Sequence, residues 1–217
     1  MDVSERSHAL SAMLGCAQEP AAALAQAMVP RDYPSKAFLI HQGDVNAHLW
    51  LVLGGTVQLQ SLSAEGQSTV ISSFGPGELV GAFPDENETT FDAQAFGKVA
   101  SLQIAAKDLR RLLDDWPDLG VGLAGIFAGQ LETVLDRLSA RVTLSAIGRV
   151  HRELLRLADG GREIAPPPVI SALALTAQTT RETASRAISV LERRGIIERD
   201  SERLTIVSPR MLEDMVI

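Results

Sequence analysis

Residues 179–195 read Thr-Thr-Arg-Glu-Thr-Ala-Ser-Arg-Ala-Ile-Ser-Val-Leu-Glu-Arg-Arg-Gly and predict a helix that begins near Thr179 and stops at Gly195. Four apolar residues share one face of this helix and are expected to be buried: Ala184, Ala187, Ile188 and Leu191. The polar side chains of the amino-terminal half then project to the other side: Arg181, Glu182, Ser185 and Arg186. The segment therefore predicts an amphipathic helix with a charged, hydrogen-bonding end.

The segments on either side predict that this helix belongs to a larger motif. Residues 171–177 predict a shorter apolar helix, and a tight turn joins the two helices. After the stop, two β-rich runs at 196–199 and 204–207 flank a polar turn, which predicts a hairpin of the size of a DNA-binding wing. The pattern as a whole predicts a winged helix-turn-helix.

The second helix of such a motif meets base edges in the major groove with its amino-terminal part. Arginine can donate two hydrogen bonds to guanine and glutamate can accept one from cytosine, and each good pair discriminates by about 1 to 3 kcal/mol. A threonine where the helix begins can bond a phosphate. The candidate DNA-binding residues are therefore Thr179, Thr180, Arg181, Glu182, Ser185 and Arg186. The same residues also fit a capping box, in which Thr179 caps the helix and Glu182 reaches back to its backbone.

The formal net charge of −7 is divided unevenly along the 217 residues. Residues 1–140 hold 8 Lys and Arg against 17 Asp and Glu, whereas residues 141–217 hold 12 against 10, and all twelve cations there are arginines. Arginine presents a planar fork of donors that suits phosphate and the guanine edge. The division permits DNA binding by the carboxy-terminal part but does not prove it, because an arginine preference also follows from high genomic GC content.

Upstream, the pattern from Lys36 onward is that of short strands. β-rich runs lie at 38–40, 49–53, 56–60, 69–71 and 99–104, and turn residues separate them at Gly43-Asp44, Gly54-Gly55, Glu65-Gly66 and Gly75-Pro76-Gly77. Short strands at this spacing predict a barrel or β-roll. One or two short helices are expected before Pro30.

A long helix is predicted over 118–141. Some of its apolar residues alternate at spacings of three and four, which is the seam of a two-helix coiled coil and favours a homodimer: Ala124, Phe127, Leu131, Val134 and Leu138. Gly125 and Gly129 would let two helix backbones approach closely. The alternative is that this stripe packs on the strands of its own chain. The weakly polar run 119–131 is shorter than the roughly 20 residues needed to span a membrane, so no membrane partner is expected.

Together these elements predict an α+β chain with three parts. A β-roll domain with its flanking helices takes residues 1–117, which the family resemblance described next implies to be a sensor domain; the dimerisation helix takes 118–141, and the winged helix-turn-helix DNA-binding domain 142–217.

The chain resembles the family of bacterial transcription factors that contains the cyclic-AMP receptor protein and the fumarate-nitrate regulator. The resemblance spans almost the whole chain and rests on Thr-Arg-Glu-Thr-Ala-Ser-Arg at 180–186, Leu-Glu-Arg-Arg-Gly-Ile-Ile at 191–197, Gly-Asp at 43–44, Leu-Val-Leu-Gly-Gly-Thr-Val-Gln-Leu at 51–59 and Phe-Gly-Pro-Gly-Glu-Leu-Val-Gly at 74–81.

The resemblance implies a cyclic-nucleotide-binding-type β-roll, a long dimerising helix and a carboxy-terminal winged helix-turn-helix. Arg181, Glu182 and Arg186 look like the base-reading residues of the cyclic-AMP branch, and Glu182, Ser185 and Arg186 equally fit the other branch. Both branches imply a homodimer on double-stranded DNA with an inverted repeat and a TGA-type core in each half-site. RNA polymerase is a further candidate partner. Gln178 stands where the family often has Gly, so a less tight turn is expected.

The resemblance also implies where an effector would bind. The family's phosphate-binding cassette has a Gly-Glu pair and, about ten residues later, an arginine that neutralises the cyclic phosphate. Here Ala82 follows Gly81, and residues 86–92 add negative charge without an arginine; the alternative pair Gly77-Glu78 lacks the arginine as well. Cyclic AMP is therefore not expected as the effector, and the effector stays unknown. The candidate effector pocket consists of Gly81, Ala82, Phe83, Thr89 and Thr90.

Other functions find little support in the sequence. No Ser-His-Asp arrangement, paired-acid motif or nucleotide-cradling glycine loop is evident, so no enzyme is expected. His41 and His48 have no paired carboxylate or thiolate, so no metal or cofactor is expected, and the lone Cys16 is expected to be a buried thiol. Without a secretory signal pattern at 1–5, the cytoplasm is the expected location. The competing function is a cyclic-nucleotide-type module that acts through protein partners and carries a degenerate helix-turn-helix.

Overall fold

The computed structural model describes residues 2–62 and 68–217. The chain divides into two compact units, Met1–Glu132 and Thr133–Ile217. Helices and strands occur in both, so the α+β class is confirmed. The turn predicted at Glu65-Gly66 lies outside the described residues.

The first unit is built on an antiparallel sheet in which strands far apart in the chain are neighbours. Its elements are α1 (Val3–Leu14), α2 (Gln18–Ala27), β1 (Val29–Tyr33), β2 (Phe38–Ile40), β3 (Val45–Asn46), β4 (His48–Leu62), β5 (Ser68–Phe74), β6 (Leu79–Gly81), β7 (Asn87–Glu88), β8 (Asp92–Ala105), α3 (Ala106–Asp115) and the first part of α4 (Pro117–Thr143). The sheet has the order β1-β8-β4-β5, with β2 also on β8 and β6 also on β4, while β3 and β7 pair separately. This is the predicted β-roll.

The turn predicted at Gly54-Gly55 is wrong. β4 runs through both glycines, and its ladder with β8 continues with shifts of register between Val52 and Thr56. Gly55 has a φ of 79°, and a Cβ on it would collide with the carbonyl oxygen of Lys98. The two glycines therefore form a bulge, which bends the strand where the partner backbone comes close instead of ending it.

Two apolar clusters hold the described part of the first unit together. One lies where α1, α2, α3 and α4 meet the sheet and includes Leu10, Leu24, Leu49, Leu102, Leu109 and Leu119; the other includes Val52, Val57, Phe74, Ala93, Ala95 and Val99. Cys16 is half-buried at the edge of the first cluster and not buried as expected, because it follows the left-handed Gly15 that ends α1. Burial raises the pKa of its thiol.

α4 is a single helix of 27 residues, from Pro117 to Thr143. By length and composition alone it is apolar enough to cross a membrane, and only 11% of its most apolar window is buried. The weakly polar run 119–131 lies inside this longer helix, and Val134, Leu135 and Leu138 follow it at helical spacing. Leu131, Leu135 and Leu138 are more than half exposed in the single chain.

The second unit contains the predicted helices and hairpin together with two elements that the sequence did not predict, β9 and α8. Its elements after α4 are α5 (Ala146–Leu157), β9 (Glu163–Ile164), α6 (Ile170–Thr176), α7 (Arg181–Arg193), β10 (Ile197–Arg199), β11 (Leu204–Ile206) and α8 (Pro209–Asp214). The strands form a sheet of order β10-β11-β9. The helices and the sheet share one core that includes Leu154, Leu173, Leu191, Ile196, Leu204 and Leu212.

Candidate nucleic-acid interface

The turn between α6 and α7 is tight although it contains no glycine. Gln178 takes the left-handed conformation that glycine favours, with a φ of 47°. The amide of Thr179 reaches back to the carbonyl oxygen of Ala174 at 2.9 Å, which closes the end of α6. The looser turn expected from Gln178 is therefore wrong: the glutamine accepts the strained conformation.

Arg149 of α5 holds this turn from the outside. Its Nε donates to the carbonyl oxygen of Ala177 at 2.9 Å, its Nη2 to that of Gln178 at 3.0 Å, and its Nη1 to that of Leu144 at 3.1 Å. Burial, and to a smaller extent the charge of Arg141, lowers the pKa of Arg149. One guanidinium thus satisfies carbonyl groups at the helix-turn-helix corner and at the end of α4. Nothing local in the sequence distinguishes Arg149 from the other arginines, so its role is not predicted from the sequence.

The cap of α7 is Thr180. Its Oγ1 accepts a hydrogen bond from the amide of Thr183 at 3.2 Å. The capping box considered for Thr179 and Glu182 does not form, because Thr180 is the extended residue before the helix and Glu182 is only the second residue inside it. Thr179 lies half-buried in the turn.

The polar face of α7 is open to solvent over its first turns. The exposed side chains there are those of Arg181, Glu182, Ser185 and Arg186. The first three, together with Ile170, line an open pocket with a volume of about 230 Å³. The opposite face is buried as predicted: Ala184, Ala187, Ile188 and Leu191 are at most 3% exposed. The exposed surface therefore presents cationic donors, a carboxylate and a hydroxyl in one row.

Glu182 remains an acceptor in this row. A hydrogen bond from its own backbone amide, with further help from Thr180 and the neighbouring arginines, lowers the pKa of its carboxyl. The amino-terminal end of the helix dipole acts in the same direction. Glu182 is therefore ionised at neutral pH and can accept from a base edge.

The wing is a hairpin braced by a third strand. Asp200 shapes its turn, since Oδ1 accepts from the amides of Glu202 at 2.7 Å and Arg203 at 2.8 Å, and these bonds lower the pKa of its carboxyl. β9 pairs with β11 on the far side from β10. Nη1 of Arg203 lies 3.4 Å from Oε1 of Glu163 in β9, and the two exposed side chains form an ion pair.

A second surface follows the length of α4. Seven exposed residues repeat at alternating spacings of three and four, and we call them the α4 stripe: Val121, Ala124, Ala128, Leu131, Leu135, Leu138 and Val142. Of the residues proposed from the sequence, Ala124, Leu131 and Leu138 belong to it. Phe127 and Val134 are half-buried, and the ring of Phe127 packs against Phe83 at 4.9 Å between centroids. No side chain of the described residues comes within 4 Å of where a Cβ on Gly125 or Gly129 would stand.

The residues proposed for an effector pocket fall into two groups. Gly81 ends β6, and Ala82 and Phe83 follow it; Ala82 is fully buried and its amide donates to the carbonyl oxygen of His48 at 2.8 Å. Thr89 bonds the Gly43-Asp44 turn through its backbone, and Thr90 is exposed. Within 2–62 and 68–217, no hydrogen bond joins the two groups. The same residues contain no cluster of three or more His, Cys, Asp or Glu that could hold a metal ion.

A β-roll joined to a winged helix-turn-helix with an open recognition helix defines a class of DNA-binding transcription regulators. Two protein-family models match the chain, a cyclic nucleotide-binding domain over residues 30–115 and a Crp-like helix-turn-helix domain over residues 148–215. The chain belongs to the Crp/Fnr family of transcription regulators.

Individual relatives agree with this assignment. The cyclic AMP receptor protein of Thermus thermophilus is 31% identical over 192 residues, which cover 85% of this chain and 87% of the relative. The cAMP-activated global transcriptional regulator CRP of Salmonella typhimurium is 25% identical over 188 residues, 82% of this chain and 89% of the relative. The structure of FixK2 from Bradyrhizobium japonicum matches with a TM-score of 0.71 at 18% identity, covers 88% of this chain and 98% of that one, and supports the fold.

Proposed function

We propose that this regulator is a homodimer that binds an inverted repeat in double-stranded DNA and that cyclic AMP does not gate it. The observation that carries the proposal is the open row Arg181, Glu182, Ser185 and Arg186 on α7. Such a row has the donors and the acceptor that discriminate guanine and cytosine in the major groove. The cytoplasm, where the DNA is, is the proposed place of action, and RNA polymerase is a proposed partner.

The α4 stripe supports the homodimer. Leu131, Leu135 and Leu138 are 58%, 54% and 55% exposed, so their side chains are not buried against their own chain. A strict alternation of three and four is the spacing at which two helices interdigitate side by side. A twofold dimer presents two copies of α7, and a pair of identical recognition helices matches an inverted repeat.

The experiment for this proposal is selection of bound sequences from random double-stranded DNA with the purified protein. We expect an inverted repeat with a TGA-type core in each half-site, which the family resemblance implies for Glu182, Ser185 and Arg186. A selected set with a motif but no dyad would overturn the homodimeric reading. Absence of any selected motif would instead support the competing function, a module that acts through protein partners.

The side chains near β6 argue against cyclic AMP, although the names of the relatives describe them as cAMP-activated. A cyclic phosphate needs a nearby cation, and residues 82–92 contain none, whereas Asp85, Glu86, Glu88 and Asp92 are all acidic. Arg110 reaches this segment, but it pairs with Asp85 at 3.2 Å and with Asp114 at 3.6 Å. The residues present therefore do not fit the ligand.

The corresponding measurement compares affinity for the selected site with and without millimolar cyclic AMP. We expect the two dissociation constants to agree within about twofold, because no cation pairs with the phosphate. A tightening of about tenfold or more would contradict the proposal and leave the dimer and the DNA motif untouched.

A further inference from the structure

An apolar cavity of about 140 Å³ lies between α1 and the sheet of the first unit, away from the residues proposed for an effector. One wall is a single face of α1, made by Arg6, Ala9, Leu10 and Met13. The other wall consists of Leu51, Val52 and Leu53 of β4 with Gly77 and Leu102. The cavity opens to solvent beside Ala9 and Leu53, which are exposed, and its volume is close to the roughly 150 Å³ that holds a benzene ring inside a protein.

Arg6 makes this cavity chemically specific. Its Nε donates to the carbonyl oxygen of Asp2 at 3.3 Å and its Nη1 to that of Met28 at 3.1 Å, which fixes the guanidinium. Among the described residues, Nη2 donates to no acceptor. The side chain is half-buried, so its charge is only partly screened by water. The half-buried Arg6 in the wall of an otherwise apolar space is complementary to a carboxylate on a hydrocarbon body.

We propose that this cavity binds a small monocarboxylate with an apolar body of about six to eight carbons, such as a short fatty acid or an aromatic acid. The hydrocarbon replaces water against Leu10, Leu51 and Leu102, and the carboxylate accepts from Nη2 of Arg6. The site concerns the first unit alone and does not depend on DNA binding.

Residues that follow each wall closely in the chain contact α4. Beyond Met13, the backbone of Leu14 lies so close to Gly122 that a Cβ on the glycine would collide with it. Beyond Gly77, the backbone of Leu79 donates to Gln130 at 2.8 Å and accepts from it at 2.9 Å. A ligand that changes the separation of the two walls therefore acts on two points of the helix that carries the α4 stripe.

The test is a titration of the full chain with hexanoate, followed by nuclear magnetic resonance, with 1-hexanol as the uncharged probe of the same length. We expect shifts at Ala9, Leu51 and Gly77 and tighter binding of hexanoate than of hexanol. Arg6→Gln should weaken hexanoate at least about tenfold and leave hexanol unchanged, because only the acid uses the guanidinium. Arg111→Gln, which removes an equally cationic but exposed side chain from α3, is the matched control and should change neither.

A second variant keeps the proposal falsifiable if Arg6→Gln loosens α1. Ala9→Leu keeps Arg6 and the helix but fills the cavity, and we expect it to weaken both probes about tenfold or more. The proposal is overturned if hexanoate causes no shifts around the cavity. It is equally overturned if both variants bind hexanoate as tightly as the unaltered chain does.

Discussion

Arg186 is the residue on which sequence discrimination is expected to depend most directly. Among the described residues its guanidinium donates only from Nε, to the carbonyl oxygen of Glu182 at 3.4 Å, so both terminal nitrogens are available for a guanine. In the proposed homodimer Arg186→Ala removes one arginine from each half-site, so it should cost about 1 to 3 kcal/mol of binding free energy per half-site on the selected site and much less on unrelated DNA. Fluorescence anisotropy with a selected and a scrambled duplex measures the difference.

The control for Arg186 is Arg199→Ala, which removes an exposed arginine from the wing strand β10. A cation that contacts only phosphate should weaken both duplexes alike and reduce the slope of log affinity against log salt by about one for each chain of the dimer. Equal losses on both duplexes for Arg186→Ala would show that this arginine also contacts only phosphate.

Thr180 and Thr179 are adjacent threonines with different expected effects. Thr180→Ala removes the acceptor for the Thr183 amide and should destabilise the start of α7 by about 1 kcal/mol, whereas Thr179→Ala should change it much less. Amide hydrogen exchange of residues 181–186 measures this, and faster exchange is expected only for Thr180→Ala. The same variant should raise the pKa of Glu182 towards its ordinary value, because the bond from Thr180 helps to lower it. Faster exchange in Thr179→Ala instead would place the cap one residue earlier.

For single residues, the sequence predicts the features that depend on the spacing of residues within one helix or strand. The buried and exposed faces of α7 follow from a repeat within one helix, and the structure places all four buried residues where the repeat puts them. The capping box considered from the sequence places the cap of α7 at Thr179, one residue before the observed cap Thr180. The difference depends on the left-handed backbone of Gln178, which the sequence does not predict. The role of Arg149 was out of reach, because its acceptor at Gln178 is 29 residues away.

Among the elements, α4 carries the prediction for self-association. Leu135 belongs to the α4 stripe, whereas Val134 is half-buried against its own chain. In a twofold interface Leu135→Ala removes two leucine side chains, each worth about 1.5 to 3 kcal/mol when buried, so the dissociation constant of the dimer should rise by about a hundredfold or more. Sedimentation equilibrium measures that constant.

Val134→Ala is the control within the same turn of α4 and should change the dissociation constant much less. A larger effect of Val134→Ala would restore the seam proposed from the sequence, in which Phe127 and Val134 face the partner. Co-flotation of the unaltered protein with phospholipid vesicles would instead mean that lipid covers the stripe, and would contradict the dimer.

Strand pairing shows a similar limit for the fold. Composition predicts the β-rich runs within β4 and β8 but not the length of these strands. The two glycines at 54–55 are identified as a bulge, and not as a turn, only from the position of the Lys98 backbone beside Gly55. β9 has two residues and exists because Leu204 and Thr205 of β11 offer it a partner. A two-residue strand that forms because a neighbouring strand pairs with it has no sequence pattern from which it could be predicted.

For the whole molecule, the division of charge favours contact between DNA and the carboxy-terminal residues. Residues 141–217 are net positive while residues 1–140 carry 17 acidic against 8 basic side chains. Phosphate attracts the net-positive residues 141–217 and repels the net-negative residues 1–140, so the net electrostatic attraction comes from residues 141–217. A dimer then presents two such units, and its affinity depends on how the DNA places their targets.

The spacing of the half-sites is therefore the sharpest test of the proposed homodimer. Two recognition helices related by a twofold axis reach major grooves about one helical turn apart on the same face of the duplex. Insertion of about 5 base pairs between the half-sites turns one of them to the opposite face, so affinity should fall to that of a single half-site. Competition binding against the selected sequence measures this, with an equally long duplex that holds one intact and one scrambled half-site as the reference. Retained affinity on the lengthened duplex would mean that each chain binds DNA independently, and the inverted repeat would then reflect two separate sites.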